Sequence, residues 1–376
     1  MLQTNTLIVG ASISGLALSA CLQKQNIPYL VIEKDANIAM PWRNHYERLH
    51  LHTNKRVSNL PYKKFEKKIQ RYPSRQEVVN YLEDYKTAFN INPIFNTEAN
   101  SIRRNDDHWL IETNKEAFKA HHLVLATGAF GKPKIADFPG METFNGPIIH
   151  SSQYKSGKDF KGKKVLVVGF GNSACEIAID LYEQGASPSM SVRSPVNIIP
   201  RDLAGIPILE LSQFLSKLPP RLADTVNAPL IKLLVGDISK FGLTKKAYGP
   251  FEEIRKDMHI PVIDIGIVTH IRKGHVSIHK GIARIDGNTV IFSDGYRENF
   301  DAIIAAVGYE NNCSEIVAVE TDRFDDLKMP TYKQKYFGKD GLYFCGFWIA
   351  PTGQIREIAK DAKKIAKDIA SKNHVN

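Results

Sequence analysis

Val165-Leu-Val-Val-Gly169-Phe-Gly171-Asn-Ser-Ala174-Cys-Glu-Ile-Ala-Ile-Asp-Leu181 decides the fold of this 376-residue chain. A Val-rich apolar run ends at Gly169, and apolar residues at helical spacing follow the glycine turn, so the stretch reads as strand, phosphate turn and helix. Such a turn offers backbone N–H groups and the positive end of a helix to a dinucleotide pyrophosphate. A second unit of the same kind opens the chain: Thr6-Leu-Ile-Val-Gly10-Ala-Ser12-Ile13-Ser14-Gly15-Leu. Two such turns predict two nucleotides and an α/β fold made of two Rossmann-like dinucleotide-binding domains.

The units differ where their second strands end. In the first, Glu33 lies about 20 residues beyond the turn, where a carboxylate accepts hydrogen bonds from an adenosine ribose, and Lys34 follows it. Ser12 replaces the middle glycine, adding a small hydroxyl able to contact phosphate. In the second, Met190-Ser-Val-Arg193-Ser194 carries no carboxylate, and an Arg there pairs with a ribose 2′-phosphate. The first site (Gly10, Ser12, Ile13, Ser14, Gly15, Glu33, Lys34) therefore suits FAD. The second (Gly169, Gly171, Asn172, Ser173, Ala174, Arg193, Ser194) suits NADPH. A turn that merely packs a helix, or an arginine that merely sits on the surface, is the plain alternative for each; the pairing of the two units weighs against both.

With 43% hydrophobic and 24% charged residues the chain can bury a large core. Its formal charge of +10 comes from scattered Lys and Arg without a recognition motif, which favours anionic small molecules over nucleic acid. No stretch approaches the roughly 18 apolar residues of a membrane span, and the first strand starting near Thr6 leaves no room for a leader, so a cytoplasmic protein without membrane insertion is expected. Cys21, Cys175, Cys313 and Cys345 are dispersed. A disulfide reductase shares the two-nucleotide plan but needs a redox cysteine pair; a flavin-free NADPH-binding protein is a further alternative.

Residues 39–64 are irregular, aromatic and rich in His. His50 and His52 alternate as on a strand, but no third ligand follows at a fitting spacing, and no metal is expected. Trp42 stands where a flat cofactor ring would be enclosed. Ser74 starts a helix over 74–89, residues 99–113 form a hairpin, and a buried strand ends at Thr127-Gly128. Residues 203–245 read as amphipathic helices broken at Pro219-Pro220, which line a substrate entrance, touch a membrane or pack as an insertion. The strand from Phe300 to Tyr309 is expected to return the chain to the first domain. Gln354 opens a last helix whose positive end suits an anionic reduced flavin.

Phe144, Gly146, His150 and Tyr154 match F-x-G-x₃-H-x₃-[WFY] just before the second turn. With WRNHYERLHLHT, VRSPVNIIPR, AYGPFEEI and PVIDIGIVTHIRKGHVSIHKGI, the sequence resembles the class B flavin-containing monooxygenases, most closely the YUCCA-type indole-3-pyruvate monooxygenases. The resemblance implies a discontinuous FAD domain (1–155 and 305–376) around an inserted NADPH domain (156–304) with a helical insertion at about 203–245. It implies that NADPH reduces FAD, that flavin takes up O2 as a C4a-(hydro)peroxide, and that a keto acid is shortened with loss of CO₂. The partners are then a small organic substrate and O2; the oligomeric state stays open, a homodimer included. Amine- and sulfide-oxidising relatives place an Asn near the flavin edge in the stretch that aligns with 51–55. The resemblance thus makes His52 the catalytic residue, Asn54 its backup, and Trp42, Thr53, Thr127, Gly128 and Gln354 further FAD contacts. Ala306-Val307-Gly308 departs from the usual Ala-Thr-Gly. N- or S-oxidation and Baeyer-Villiger insertion on a small amine, sulfide or ketone are the alternatives.

Overall fold

The chain opens with the strand–turn–helix–strand unit that its apolar pattern dictates: β1 (Leu2–Val9), α1 (Ile13–Lys24) and β2 (Tyr29–Ile32). The computed structural model describes residues 1–373 except 130, 204, 312, 320–322, 326–327 and 332–336, and not the side chains of 209, 211 and 373. Phe130 after the Thr127-Gly128 turn and Ala204 of the insertion therefore lie outside the described residues. In α1 every residue from Ile13 to Leu22 is buried, as expected of a helix covered on all sides; the sheet lies on one side and the C-terminal helix Gln354–Asn373 on another.

A short helix α2 (Met40–Asn44) carries Trp42, and α3 (Arg75–Ala88) follows. Ser74 starts α3 by a capping box: its Oγ accepts from the Glu77 N–H at 3.3 Å and Glu77 Oε2 accepts from the Ser74 N–H at 2.8 Å. The predicted hairpin is β3 (Ala99–Asn105) and β4 (His108–Thr113), and β5 (Phe118–Leu125) is the strand that leads to Thr127-Gly128. The first sheet runs β2-β1-β5-β4-β3.

β6 (Lys132–Pro133) leads into β7 (Ile148–His150), β8 (Lys164–Val168), α4 (Asn172–Glu183) and β9 (Ser187–Ser191). Next come β10 (Ile198–Pro200), a small hairpin of β11 (Asp202–Leu203) and β12 (Ile206–Pro207), and helices α5 (Ile208–Leu215) and α6 (Pro220–Val235), with the break falling at Pro219-Pro220 as the sequence predicts. α7 (Pro250–Asp257), β13 (Val262–Asp264), α8 (Ile267–Arg272) and β14 (Ser277–His279) follow. A three-stranded antiparallel sheet is built from β15 (Ile282–Asp286), β16 (Thr289–Phe292) and β17 (Arg297–Asn299), before β18 (Ala302–Ala305). The second parallel sheet has the order β14-β9-β8-β18-β7.

Two expectations shift. The strand after Phe300 does not rejoin the first sheet: Ala302–Ala305 is buried throughout and lies in parallel between β8 and β7, the place a continuous apolar run takes in a parallel sheet. The return comes later, through β19 (Tyr309–Glu310), which pairs with β6, and then α9 (Cys313–Ile316), β20 (Val317–Ala318) beside β3 and β21 (Leu342–Phe344) beside β5. Residues 148–150, on the first side of the expected boundary at 155, pair with β18 and so belong to the second sheet. The second unit is inserted between strands of the first, and the two chain crossings touch where β6 meets β19.

Candidate active site

The first turn needs its glycines for the chain's own packing. Gly10 has φ +107°, and a Cβ on it would stand 2.8 Å from the Ala126 carbonyl oxygen; one on Gly15 would stand 1.9 Å from the Gly10 oxygen. Gly15 thus lets helix and strand close on each other. Gly171 is different: it begins α4, and a Cβ there would meet nothing within 4 Å. Its smallness is spent on open space in front of a helix N-terminus, the place a pyrophosphate occupies. The two turns therefore fit the two dinucleotides on steric grounds.

Glu33 is buried, and its carboxylate accepts from the Ala11 N–H at 2.7 Å and from the Asp35 N–H at 3.1 Å. Burial outweighs these bonds and holds its pKa above the usual carboxylate value. The residue therefore braces the turn as well as standing at the ribose position. At the second site Arg193 is exposed just past β9 and, among the described residues, makes no ion pair, which leaves its guanidinium available. Ser194 is exposed beside it and Ala174 is buried.

Between the two sheets lies a cavity of about 470 Å³. Ser12, Ile13 and Ser14 of the first turn line it, with Trp42 and His52. Thr53, Thr127, Gly128 and Gln354 line it as well. The second unit contributes Asn172, whose amide is tied to β13: its Oδ1 accepts from the Ile263 N–H at 2.8 Å and its Nδ2 donates to the Pro261 carbonyl at 3.2 Å. The Gln354 amide donates to the Gly346 carbonyl at 2.8 Å. Lys34 is exposed and does not line the cavity.

His52 sits at the seam. Its Nε2 meets the carboxylate of Glu176 on α4, a residue 1% exposed; a carboxylate oxygen accepts and the ring N–H donates. Tyr46 is pushed well above its ordinary pKa by burial and by the Glu176 charge. The same face of α4 carries Asp180, whose Oδ2 accepts from the Tyr154 hydroxyl at 2.5 Å, and Glu183, gripped by Arg48 at 2.8 and 3.0 Å. Positions 176, 180 and 183 share one helix face, so three carboxylates of the second unit are caught by partners outside it or at its edge. Sequence reading missed this row; its signal was acidic residues recurring at helical spacing.

Asn54, expected as the backup to His52, is placed elsewhere. It is 1% exposed, does not line the cavity, donates to Glu210 of α5 at 2.5 Å, and accepts from the N–H groups of Arg56 and Val57. With both ends of the amide engaged it anchors the insertion to the 54–58 turn. His50 and His52 are engaged separately, His50 Nδ1 lying 2.6 Å from the Arg48 carbonyl. The described residues that do bring metal-ligand atoms within 4.8 Å of one another are Asp107 in the β3–β4 turn, His108 at the start of β4 and His121 on β5, which sequence reading did not single out.

The motif before the second turn is a joint. Gly146 lies against the Asp301 carbonyl, 2.3 Å from where a Cβ would be. His150 Nε2 donates to the Gly308 carbonyl at 3.1 Å, which fixes Nδ1 as the acceptor for the Ser152 N–H. Burial lowers the His150 pKa and favours this neutral form. All four cysteines are buried and free, and none lines the cavity; the cysteine pair that a disulfide reductase places beside its flavin is missing from this wall among the described residues.

The family model described as pyridine nucleotide-disulphide oxidoreductase matches residues 7–202. The indole-3-pyruvate monooxygenase YUCCA1 of Oryza sativa subsp. japonica is 36% identical over 369 residues, covering 96% of this chain and 90% of the relative. The corresponding YUCCA6 protein of Arabidopsis thaliana is 37% identical over 379 residues, covering 97% and 90%. Among solved structures, an oxidized steroid monooxygenase bound to NADP superposes with a TM-score of 0.78 at 17% identity, over 99% of this chain and 86% of that one; this shows the shared fold. No described helix is long and apolar enough to cross a membrane. A cavity lined by Ser12–Ser14 of the first turn and Asn172 of the second, a chain-long likeness to oxygenating flavoenzymes and no sulfur among the described lining residues converge on one assignment: the chain belongs to the class B flavin-dependent monooxygenases, which work with FAD and NADPH.

Proposed function

We propose that this monooxygenase oxidatively decarboxylates an aromatic α-keto acid such as indole-3-pyruvate. The observation that carries the reading is the likeness to indole-3-pyruvate monooxygenases over nearly the whole chain. An apolar cavity reached by both nucleotide turns agrees with it. Bound flavin, reduced by NADPH, supplies the activation of O2. The C1–C2 bond of the keto acid breaks, C1 leaves as CO₂, one oxygen atom enters the shortened acid and the other leaves as water. Two electrons come from NADPH and two from the broken C–C bond.

In this reading Gly10, Ser12, Ile13, Ser14, Gly15 and Glu33 hold the adenosine diphosphate of FAD. Trp42, Thr53, Thr127, Gly128 and Gln354 enclose its ring, and Lys34 serves the solvent edge. Gly169, Gly171, Asn172, Ser173, Ala174, Arg193 and Ser194 hold NADPH. His52 is the catalytic group: with Nε2 committed to Glu176, its ring is fixed in place and offers Nδ1 to the reacting region. The FAD domain expected at 1–155 and 305–376, less residues 148–150 and Ala305, which pair in the second sheet, and the NADPH domain expected at 156–304 then flank that region.

The test is product analysis with indole-3-pyruvate and phenylpyruvate. Equal amounts of arylacetate, CO₂ and oxidised NADPH are expected. Turnover confined to an amine, a sulfide, or a ketone by Baeyer-Villiger insertion would sink the proposal.

A further inference from the structure

The cavity has a wall that the cofactor residues do not supply. α6 buries Ala223, Asn227, Ile231 and Val235, four residues apart and therefore on one face. Three of them are apolar and one is an amide. Asn227 is 6% exposed and lines the cavity, and its side chain makes no hydrogen bond among the described residues. The neighbouring amides are all engaged: Asn172 with β13, Gln354 with Gly346, and Asn54 with Glu210.

The position of Asn227 is fixed. One turn earlier, Asp224 accepts from the N–H groups of Phe251 and Glu252 at 2.9 and 3.0 Å, locking α6 to the start of α7. The same cavity wall includes Ile199 of β10 and Phe251 and Ile254 of α7, elements that pack against α6, together with Ile263, and none of the described lining residues is Lys, Arg, Asp or Glu. Asn227 is nearly buried, yet its amide keeps access to the cavity it lines and takes no protein partner there, where a leucine would complete the apolar α6 stripe. Its presence is explained by a ligand that supplies the missing partner.

We propose that Asn227 is the substrate anchor: its amide donates to a carboxylate or keto oxygen of an organic acid whose flat apolar body lies against Ile199, Phe251, Ile254 and Ile263. This rests on the aromatic keto-acid reading and sharpens it, because recognition of the acid then comes from a neutral donor inside an apolar wall. The insertion that carries α6 becomes the specificity element of the enzyme.

The test uses the full FAD-loaded chain and two inert probes: indole-3-acetate, and 3-methylindole, which has the same ring system without the carboxylate. Affinities are measured by calorimetric titration for the wild type and Asn227→Leu, and melting temperatures without probe. Asn227→Leu is expected to weaken indole-3-acetate about tenfold or more, to change 3-methylindole less than about twofold, and to melt no lower than the wild type. Asn227→Asp, which sets one carboxylate against another, weakens the acid further. If both probes bind the wild type and Asn227→Leu binds the acid equally well, or melts several degrees lower, the anchor is overturned while the keto-acid reading stands. If the wild type binds neither probe, the keto-acid reading falls and takes the anchor with it.

Discussion

Arg193 and Glu176 pose opposite problems for a reader of residues. Arg193 is exposed and unpaired among the described residues, so nothing in the free protein depends on it. Arg193→Ala should leave folding and flavin content intact, raise the KM for NADPH about ten- to a hundredfold, and leave the KM for NADH unchanged, because only the 2′-phosphate loses a charge-assisted partner. Steady-state kinetics with both nucleotides check this. Glu176 is buried against His52 across the seam. Glu176→Gln keeps the shape but removes the charge that holds the imidazole. A fall in kcat/KM of about tenfold or more is expected, with a larger share of NADPH oxidation ending as hydrogen peroxide, measured by comparing peroxide with organic product. Equal coupling in the variant would show that His52 needs no such partner.

At the scale of elements, local rules were followed closely where the sequence was rich in signals. Ser74 and Glu77 announce α3 by their spacing, and the structure has both reciprocal bonds. Ser74→Ala should therefore cost about 1 kcal/mol, seen as a lower urea midpoint with the flavin still bound at zero urea. The insertion was legible as helices, since apolar spacing and Pro219-Pro220 define α5 and α6. What those helices face was not legible. Their inner residues Ile208, Ser212 and Asn227 line the cavity, whereas Phe214, Val226 and Leu233 are exposed; hydrophobicity alone gives no sign of which apolar face is covered. The strand at 302–305 misled for a related reason. A buried parallel strand reads as an unbroken apolar run, and such a run fits either sheet.

Across the whole molecule, paired charges such as Arg48 with Glu183 cross between the two units, and four half-buried histidine rings stay neutral. His45, His150, His270 and His279 are all held below the ordinary histidine pKa, chiefly by burial. Each binds fewer protons folded than unfolded, so its contribution to stability is complete above about pH 6.5 and is lost as pH falls toward the depressed folded values. The melting temperature should thus fall between pH 7.5 and pH 5.5, and His150→Gln should flatten the slope. Glu33 and Asp224, raised by burial, work in the opposite direction. A melting curve independent of pH across this window would count against the joint formed by His150 and Gly308.

The two nucleotide turns, the exchange of carboxylate for arginine at the ends of their second strands, and the family were legible from the residues alone. Each is written within about 25 neighbouring residues or in a fixed order of short motifs, and local geometry forces the outcome. Packing settled that Asn54 braces the insertion, that α4 aims Glu176, Asp180 and Glu183 at the seam, and that Asn227 faces the cavity without a partner among the described residues. The first two depend on partners 26 to 156 residues away in the chain, and the third on which elements close around the cavity; no spacing rule reaches that far. A side chain's role there is set by what faces it, which packing alone supplies.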